Sequence, residues 1–381
     1  MTISSSAVIA IDASRAFVHE RTGIEEYAYE VVKHLREPLR ERRVVLYVRF
    51  GGEAAKHPRT WIETQFFSLP DSWSVRVVRP RRLWTQWGLA YHMWRDAPDV
   101  LFVPAHTVPW KHPRNTVVVV HGLEYEMTPQ AYSRYARLYM RWSIRASCRW
   151  ARHIITVSDN TARDVHRLYG VPRDRMTTVY EGVNKPLDAE ADDTSLCPDN
   201  PYFFFVGRLE ERKNIVRIVQ AFDRFKDIHK TSHVLVLAGG RGYGAEAIDA
   251  AIDAANHQKD IIRPGFISDA QKWALLRGAQ AFVFPTLYEG FGLPVLEAQS
   301  VHVPVITSTV SSLPEVVTAP SDPEPSALLV DPYDVEEIAE AMAHIAQDAS
   351  LRRAIIDRGV RNCARFDWAT CAQEIARVLD Y

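Results

Sequence analysis

The stretch AFVFPTLYEGFGLPVLEAQS, residues 281–300, reads as a strand, a turn and a helix in succession. The apolar run AFVFP is typical of a strand that is covered on both faces, as strands of parallel sheets are. Two glycines follow, and Pro294 suits the first turn of a helix, where its missing N–H costs nothing. This unit predicts a parallel α/β sheet.

Apolar runs of the same kind recur along the chain and alternate with helical patterns, as at 24–35 and 214–225. Because 381 residues exceed what one hydrophobic core usually supports, the alternation predicts two doubly wound α/β domains. The acidic stretch 185–201 contains three prolines and no periodicity, which predicts a linker. The predicted strands are 7–11, 44–48, 75–78, 100–104, 116–121, 153–158, 202–207, 233–239, 279–285, 303–308 and 327–331.

The amino-acid composition indicates to which broad class of protein the chain belongs. Hydrophobic residues make up 47% and charged residues 24%, as in soluble globular proteins. The chain contains no apolar run long enough to span a membrane, and its first residues do not resemble a signal peptide. The four cysteines show no CxxC spacing, which predicts reduced thiols in a cytoplasmic protein.

Charge is distributed unevenly along the chain. Residues 1–185 carry a net charge of +10 and the remainder −11, although the whole chain has −1. A basic first half indicates an anionic partner there, such as a membrane surface or a phosphate-bearing substrate.

Candidate ligand-binding residues follow the strands, because ligands of open α/β sheets bind beyond the carboxyl ends of the strands. Arg208 and Lys213 come after strand 202–207, directly before a helix, and two cations at a helix start favour an anion. Ordinary surface charge is the alternative for this pair. His121 ends strand 116–121, where either a substrate contact or a structural role is open.

The two carboxylates Glu289 and Glu297 bracket the glycine turn of the first stretch. Gly290 and Gly292 allow close approach of the backbone to a ligand, so both acids could face one ligand from different ends. A turn with two surface acids is the alternative. No GxGxxG follows the first strand, which argues against a dehydrogenase.

Taken together, these pieces resemble the retaining glycosyltransferases of family 4, which have the GT-B fold. The resemblance covers nearly the whole chain, and the E-x7-E pattern with an upstream GR…KN is its most specific part. The matching segments are TGIEEY (22–27), VVVVHGLEYEMTP (117–129), ITVSDNTARDV (155–165), YGVPRDRMTTVYEGV (169–183), FVGRLEERKN (205–214), EGFGLPVLEA (289–298) and SSLPEV (311–316).

The resemblance implies two Rossmann-like doubly wound domains that face a central cleft. Residues 1–184 would form the N-terminal acceptor-binding domain and 202–360 the C-terminal nucleotide-sugar-binding domain, joined by the linker 185–201. The C-terminal segment 361–381 would form a helix that crosses back to the N-terminal domain.

The resemblance also implies a role for each matched position. Glu289 and His121 would be the catalytic residues at the donor sugar. Arg208, Lys213 and Gly23 would bind the donor diphosphate. The remaining donor contacts would be Gly290, Phe291 and Gly292 for the sugar and phosphates, Glu297 for the ribose, and Phe266 and Ile267 for the base.

The implied reaction moves a sugar, with mannose from GDP-mannose preferred, to a lipid-linked or polysaccharide acceptor in surface glycan synthesis. It would proceed with retention and need no metal or other cofactor. Three alternatives stay open. The donor could be a UDP-sugar or another nucleotide-sugar, the chain could be another GT-B enzyme such as a nucleotide-sugar epimerase that needs no acceptor, or it could be a non-catalytic sugar-nucleotide-binding subunit of a transferase complex. Two departures, Glu25–Glu26 after TGI and Gly122 after the histidine, lie in the acceptor domain.

A basic helical pattern occupies residues 131–153, with tyrosines and tryptophans between the arginines and no acid among them. The arginine spacing places all six on one helix face. We interpret this stripe as a contact with an anionic membrane surface or an anionic acceptor, and therefore expect peripheral attachment at the cytoplasmic face. A solvated face with buried aromatics is the alternative, and nothing indicates nucleic acid. The stripe consists of Arg134, Arg137, Arg141, Arg145, Arg149 and Arg152.

Overall fold

The computed structural model describes residues 4, 6–19, 21–79, 84–184 and 193–380. They form two compact units. The N-terminal unit comprises Met1–Leu123, Tyr135–Gly182 and Phe366–Tyr381, and the C-terminal unit comprises Glu124–Arg134 and Val183–Arg365. Segment Glu124–Arg134 is thus part of the C-terminal unit, although the predicted range 1–184 included it. Residues 185–192 of the predicted linker lie outside the described residues, as do residues 81–83 of the arginine- and tryptophan-rich segment 81–95.

The strands of both units are short and mostly buried. In chain order they are β1 (Val8–Asp12), β2 (Arg43–Val48), β3 (Trp73–Val77), β4 (Val100–Val103), β5 (Asn115–Val120), β6 (His153–Thr156), β7 (Met176–Thr178), β8 (Tyr202–Val206), β9 (Val234–Ala238), β10 (Ile261–Gly265), β11 (Ala281–Phe284), β12 (Val305–Ser308) and β13 (Leu328–Val330).

The helices alternate with these strands. In chain order they are α1 (Gly23–Leu35), α2 (Pro58–Gln65), α3 (Ala90–Asp96), α4 (Glu124–Met127), α5 (Arg134–Trp150), α6 (Asp159–Tyr169), α7 (Ile215–His229), α8 (Ala245–Ala254), α9 (Asp269–Gly278), α10 (Leu293–Ser300), α11 (Leu313–Val317), α12 (Val335–Gln347), α13 (Ala349–Cys363) and α14 (Trp368–Leu379). A π-helical segment, Trp84–Leu89, leads into α3.

Each unit contains one parallel sheet, which confirms the predicted doubly wound architecture. The sheet of the N-terminal unit has the order β3-β2-β1-β4-β5-β6-β7, and that of the C-terminal unit has the order β10-β9-β8-β11-β12-β13. The order reverses direction between β1 and β4 and between β8 and β11. Ligands of such sheets bind at these switch points, beyond the carboxyl ends of the strands.

Aromatic packing holds the middle of the C-terminal sheet. Phe203, Phe204 and Phe205 of β8 are fully buried, as are Phe282 and Phe284 of β11. The rings of Phe205 and Phe284 stack at 5.8 Å. Because both faces of this sheet are covered, its strands are continuous apolar runs, and such runs predicted most of the strands correctly. The runs MTT and IIRPG are short or interrupted, and neither β7 nor β10 was among the predicted strands.

The last helix, α14, belongs to the N-terminal unit and packs on α1. Asp367 caps it by accepting a hydrogen bond from the Thr370 N–H at 2.8 Å. The predicted segment began at residue 361, but residues 361–363 complete α13 of the C-terminal unit.

Gly239 directly follows β9, and its backbone lies close to that of Gly207 after β8. A substitution at Gly239 tests this close approach. Its φ is +135°, and a Cβ there would overlap the carbonyl oxygen of Gly207 after β8. We expect Gly239→Ala to lower the free energy of unfolding by roughly 1–3 kcal/mol, measured by urea denaturation. Gly240→Ala is the matched control, because a Cβ at Gly240 meets nothing within 4 Å. Equal stability of the two variants would contradict the close approach.

Candidate active site in the C-terminal unit

Two loops meet at the switch point of the C-terminal sheet. The loop after β8 runs through a 3-10 turn, Glu211–Lys213, and the loop after β11 contains the glycine turn. The N–H of Leu287 donates to the carbonyl of Arg212 at 3.0 Å, which ties the loops together. Asn214 strengthens the tie, because its side-chain amide donates to the carbonyl of Pro285 at 2.9 Å.

Glu289 lies at the centre of a buried charge cluster. Its Oε1 accepts hydrogen bonds from Lys213 Nζ at 2.6 Å and from Arg212 Nη1 at 2.9 Å. Arg212 also donates to the carbonyl of Tyr288 at 2.9 Å and to Glu210 Oε1 at 2.8 Å. Glu289 and Lys213 are each 9% exposed. Arg212 therefore holds both the backbone and the side chain of the loop that carries Glu289, whereas Lys213 holds the carboxylate.

The cluster keeps Glu289 ionised although the site is buried. Burial by itself raises the pKa of this carboxyl, but the charges and hydrogen bonds of Lys213 and Arg212 together bring the pKa below its usual value. Burial lowers the pKa of Arg212, and the charges of Glu289, Glu124 and Glu210 outweigh it, so that this pKa is raised. The carboxylates and the cations of the site therefore neutralise each other's charge in a region that is largely shielded from water.

Two serines of the SSLPEV motif fix the backbone of the glycine turn. Ser311 Oγ donates to the carbonyl of Glu289 at 2.5 Å and accepts from its N–H at 3.0 Å. Ser312 Oγ lies within hydrogen-bond distance of two carbonyl oxygens, that of Phe291 at 2.7 Å and that of Glu289 at 3.0 Å. Gly292 has φ +119°, which favours glycine, and α10 begins at the next residue. Pro294 lies in the first turn of α10, as predicted.

The second acid of the motif, Glu297, is held separately. It lies inside α10, is 7% exposed, and its Oε1 accepts from Lys272 Nζ of α9 at 3.2 Å. The predicted base-binding residues follow β10: Ile267 is 9% exposed, whereas Phe266 is 75% exposed and offers a flat ring for stacking. Their roles toward a nucleotide stay predictions.

Arg208 and Lys213, the predicted diphosphate-binding pair, differ in exposure, and their joint role toward a diphosphate stays a prediction. Lys213 is buried against Glu289, whereas Arg208 is exposed. The second cation of the cluster is Arg212, whose side chain is 12% exposed. Sequence reasoning missed it because four charged residues stand side by side at 210–213, and their order does not reveal which side chain turns inward. Sequence reasoning also missed Glu210, Lys272, Ser311 and Ser312 as site residues, because contacts between separate segments of the chain are made only by the tertiary fold.

His121 lies in the N-terminal unit, directly after β5. Its Nε2 is 2.7 Å from the carbonyl of Pro104, and its Nδ1 is 3.5 Å from Glu181 Oε1. The ring meets those of Tyr27 and His106 edge-on, at 4.5 and 5.1 Å. Protein groups occupy both nitrogens, and the catalytic role of His121 stays a prediction.

Gly23 is the first residue of α1, with open space where a Cβ would be. Its predicted contact with the diphosphate also stays a prediction. The nearby acids are paired within the N-terminal unit: Glu25 with Arg15 and Glu26 with Arg21, each at 2.5 Å. Among the described residues, no group of three or more His, Cys, Asp or Glu side chains is arranged to hold a metal ion.

Two family models match the chain in succession. The Glycosyltransferase Family 4 model matches residues 21–185, and the model named Glycosyl transferases group 1 matches residues 188–361. The chain belongs to the group 1, family 4 glycosyltransferases. The predicted family is thereby confirmed.

This glycosyltransferase is 27% identical over 387 residues to O-antigen chain mannosyltransferase B of Escherichia coli, with 96% of this chain and 97% of that protein covered. Among solved structures it resembles sucrose-phosphate synthase of Thermosynechococcus elongatus, with TM-score 0.73, 21% identity and coverage of 97% and 98%. It also resembles Anabaena Alr3699/HepE in complex with UDP and glucose, with TM-score 0.70, 16% identity and coverage of 98% and 99%. These likenesses confirm the GT-B fold.

The stability of the glycosyltransferase tests the buried cluster. Glu289→Ala leaves Lys213 and Arg212 buried without their shared partner, so we expect the free energy of unfolding to fall by about 3–5 kcal/mol. The matched control is Glu336→Ala, which removes an exposed pair with Arg224 and should cost about 1 kcal/mol or less. Urea denaturation measures both, and similar losses would contradict the buried arrangement.

The same cluster predicts a pH dependence. The folded-state pKa of Glu289 lies below the usual 4.5, so its stabilisation is fully present above that value and lost as the pH falls toward the folded-state pKa. We expect the stability difference between the wild-type protein and Glu289→Gln to stay constant from pH 7 to about 5.5 and to shrink below about pH 4.5. A difference that grows on acidification would contradict an ionised Glu289.

Proposed function

We propose that this glycosyltransferase moves mannose from GDP-mannose to a hydroxyl of a lipid-linked or polysaccharide acceptor in the synthesis of a surface glycan. The E. coli relative that matches it over almost its full length is named an O-antigen chain mannosyltransferase, which supports both the sugar and the kind of product. The proposal includes retention of the anomeric configuration, independence of metal, and a cytoplasmic enzyme.

The observation that carries the proposal is the cluster of Glu289, Lys213 and Arg212 at the sheet's switch point. Lys213 donates one hydrogen bond to Glu289, and its ammonium group can contact a diphosphate instead. The exposed side chain of Arg208 can contact the same diphosphate. Arg212 has three contacts with the protein and keeps Glu289 in place. In this assignment Arg208 and Lys213 bind the donor diphosphate, and Arg212 is a positioning residue.

The proposed reaction needs charge stabilisation on both sides of the bond that breaks. The bond from sugar C1 to the diphosphate oxygen breaks while the acceptor oxygen bonds to C1 on the same face. The acceptor's proton goes to the leaving phosphate oxygen. Cations at the diphosphate stabilise its developing negative charge, and ionised Glu289 stabilises the positive charge that develops on the sugar. Glu297 takes the ribose hydroxyls.

The first test is thermal unfolding with GDP, UDP, ADP or dTDP, each without added metal. A nucleotide at roughly 100 times its dissociation constant stabilises the folded state by about 2.7 kcal/mol, a clear rise of the midpoint. We expect GDP alone to produce it. A rise with UDP instead would replace the proposed donor by a UDP-sugar, and no rise with any nucleotide would contradict the donor site.

The second test follows transfer itself. With GDP-mannose and an acceptor glycan we expect an α-linked product by NMR, formed equally well in EDTA. Glu289→Gln should abolish transfer while the midpoint still rises with GDP.

A β-linked product would overturn retention, and loss of activity in EDTA would overturn metal independence. Nucleotide binding with unaltered glycan output in cells carrying Glu289→Gln would instead indicate a non-catalytic subunit.

A further inference from the structure

Helix α5 exposes its aromatic side chains as well as its arginines. Tyr135 is 87% exposed, Leu138 and Tyr139 are each 58% exposed, and Trp142 is 56% exposed. The sequence left open whether the aromatics of this helix are buried beneath a solvated arginine stripe. The structure excludes that alternative for these residues, because the buried side chains of α5 belong to Ser143, Ile144, Ser147 and Cys148.

The exposed apolar residues form one face of the helix. Positions 135, 138, 139 and 142 follow the spacing i, i+3, i+4 and i+7, which lines one side of an α-helix. The rings of Tyr139 and Trp142 lie 6.5 Å apart. At 3.6 residues per turn this face lies about a quarter turn from the mean direction of the arginines, so the two exposed faces adjoin. We call them together the basic aromatic face.

Neighbouring elements of the N-terminal unit add exposed aromatics. Trp87, Tyr91 and Trp94 are 63%, 51% and 63% exposed, and Trp110 is 58% exposed. Hydrogen bonds connect these elements to α5.

The connection runs through two steps. Gln86 bonds the carbonyl of Val108 at 3.2 Å and the N–H of Trp110 at 3.0 Å. The N–H of Val108 in turn donates to Ser147 Oγ of α5 at 2.9 Å. The π-helical segment, the loop at Trp110 and α5 therefore form one continuous part of the unit.

The charge of this region is of one sign. Residues 128–158 contain six arginines and no acidic residue. Among the described residues, the side chains of Arg145 and Arg149 form no ion pair, and both are exposed. Exposed guanidinium groups beside exposed tryptophan and tyrosine complement a surface with phosphate groups above an apolar layer. Tryptophan and tyrosine favour the interface between headgroups and acyl chains.

We propose that the basic aromatic face docks the protein on an anionic lipid bilayer. The arginines contact lipid phosphates, and Tyr135, Leu138, Tyr139 and Trp142 enter the boundary between headgroups and acyl chains. Within the described parts of the chain, no helix has the length and apolar character needed to cross a membrane. The attachment is peripheral and is carried by the N-terminal unit, whereas the proposed nucleotide-binding cluster belongs to the C-terminal unit.

The test is flotation of the full chain with vesicles of phosphatidylcholine containing phosphatidylglycerol, and with phosphatidylcholine alone. We expect binding to the anionic vesicles at low salt, weakened at least about tenfold by 0.5 M NaCl because salt screens the arginine contacts. Absence of binding to anionic vesicles at low salt would overturn the proposal. Equal binding to both vesicle types would overturn the role of the arginines.

Paired variants separate the two faces. Arg145→Glu with Arg149→Glu should weaken binding by about 100-fold or more, since each basic residue contributes about fivefold and reversal counts twice. Tyr139→Ala with Trp142→Ala should weaken binding by about tenfold or more, through lost apolar burial. The matched control is Tyr333→Ala, an exposed tyrosine of the C-terminal unit that should leave binding unchanged.

Two further readouts distinguish membrane insertion from misfolding and from binding to a different partner. Each variant should keep the wild-type rise of the unfolding midpoint with nucleotide, which shows that the protein is folded. Vesicles with brominated acyl chains should quench tryptophan fluorescence in the wild-type protein and less in Trp142→Phe. Binding without any quenching would overturn insertion of the aromatic side chains, and binding that Arg145→Glu with Arg149→Glu leaves intact would overturn docking through this face.

Discussion

The C-terminal unit depends on the neutralisation of one buried carboxylate. Glu289 follows β11, and its two partners, Lys213 and Arg212, follow β8, the neighbouring strand across the switch point. A buried charge without a partner is costly, so the two loops are stable only when they bring these groups together. The hydrogen bonds of Asn214, Ser311 and Ser312 then hold the backbones in the positions that this pairing requires.

In the proposed function, the same cluster supplies the cations for the donor diphosphate. Glu289 is the shared carboxylate partner of Lys213 and Arg212, so neither cation lacks an opposite charge. Arg212 is held by three acceptors and is suited to stay in place, whereas Lys213 has a single carboxylate partner and is suited to exchange it. This difference between Arg212 and Lys213 follows from the shapes of the two groups, since a guanidinium presents several donors in a fixed plane and an ammonium is a flexible point charge.

The N-terminal unit uses the same sheet architecture for different chemistry. Its strand-end histidine, His121, contacts the carbonyl of Pro104 and the carboxylate of Glu181, and among the described residues no buried lysine or arginine contacts it. Its outer helix α5 exposes arginine and aromatic side chains to solvent. The charge asymmetry seen along the chain thus has a local origin, because a large share of the excess positive charge lies on one helix.

The amino-acid sequence by itself determined the parallel sheets, because strands covered on both faces must be apolar throughout, and it placed Glu289, Lys213 and His121 after strands by the same rule. It also determined the family, through motifs whose spacing is specific. It did not reveal β7, whose short polar run lacks that signal. Only the tertiary structure decided that Arg212 rather than Arg208 pairs with Glu289, and that the aromatic side chains of α5 face outward. Both outcomes depend on which side of a loop or helix packs against the rest of the fold. The order of residues in the sequence does not show this where neighbouring side chains have the same charge or similar hydrophobicity.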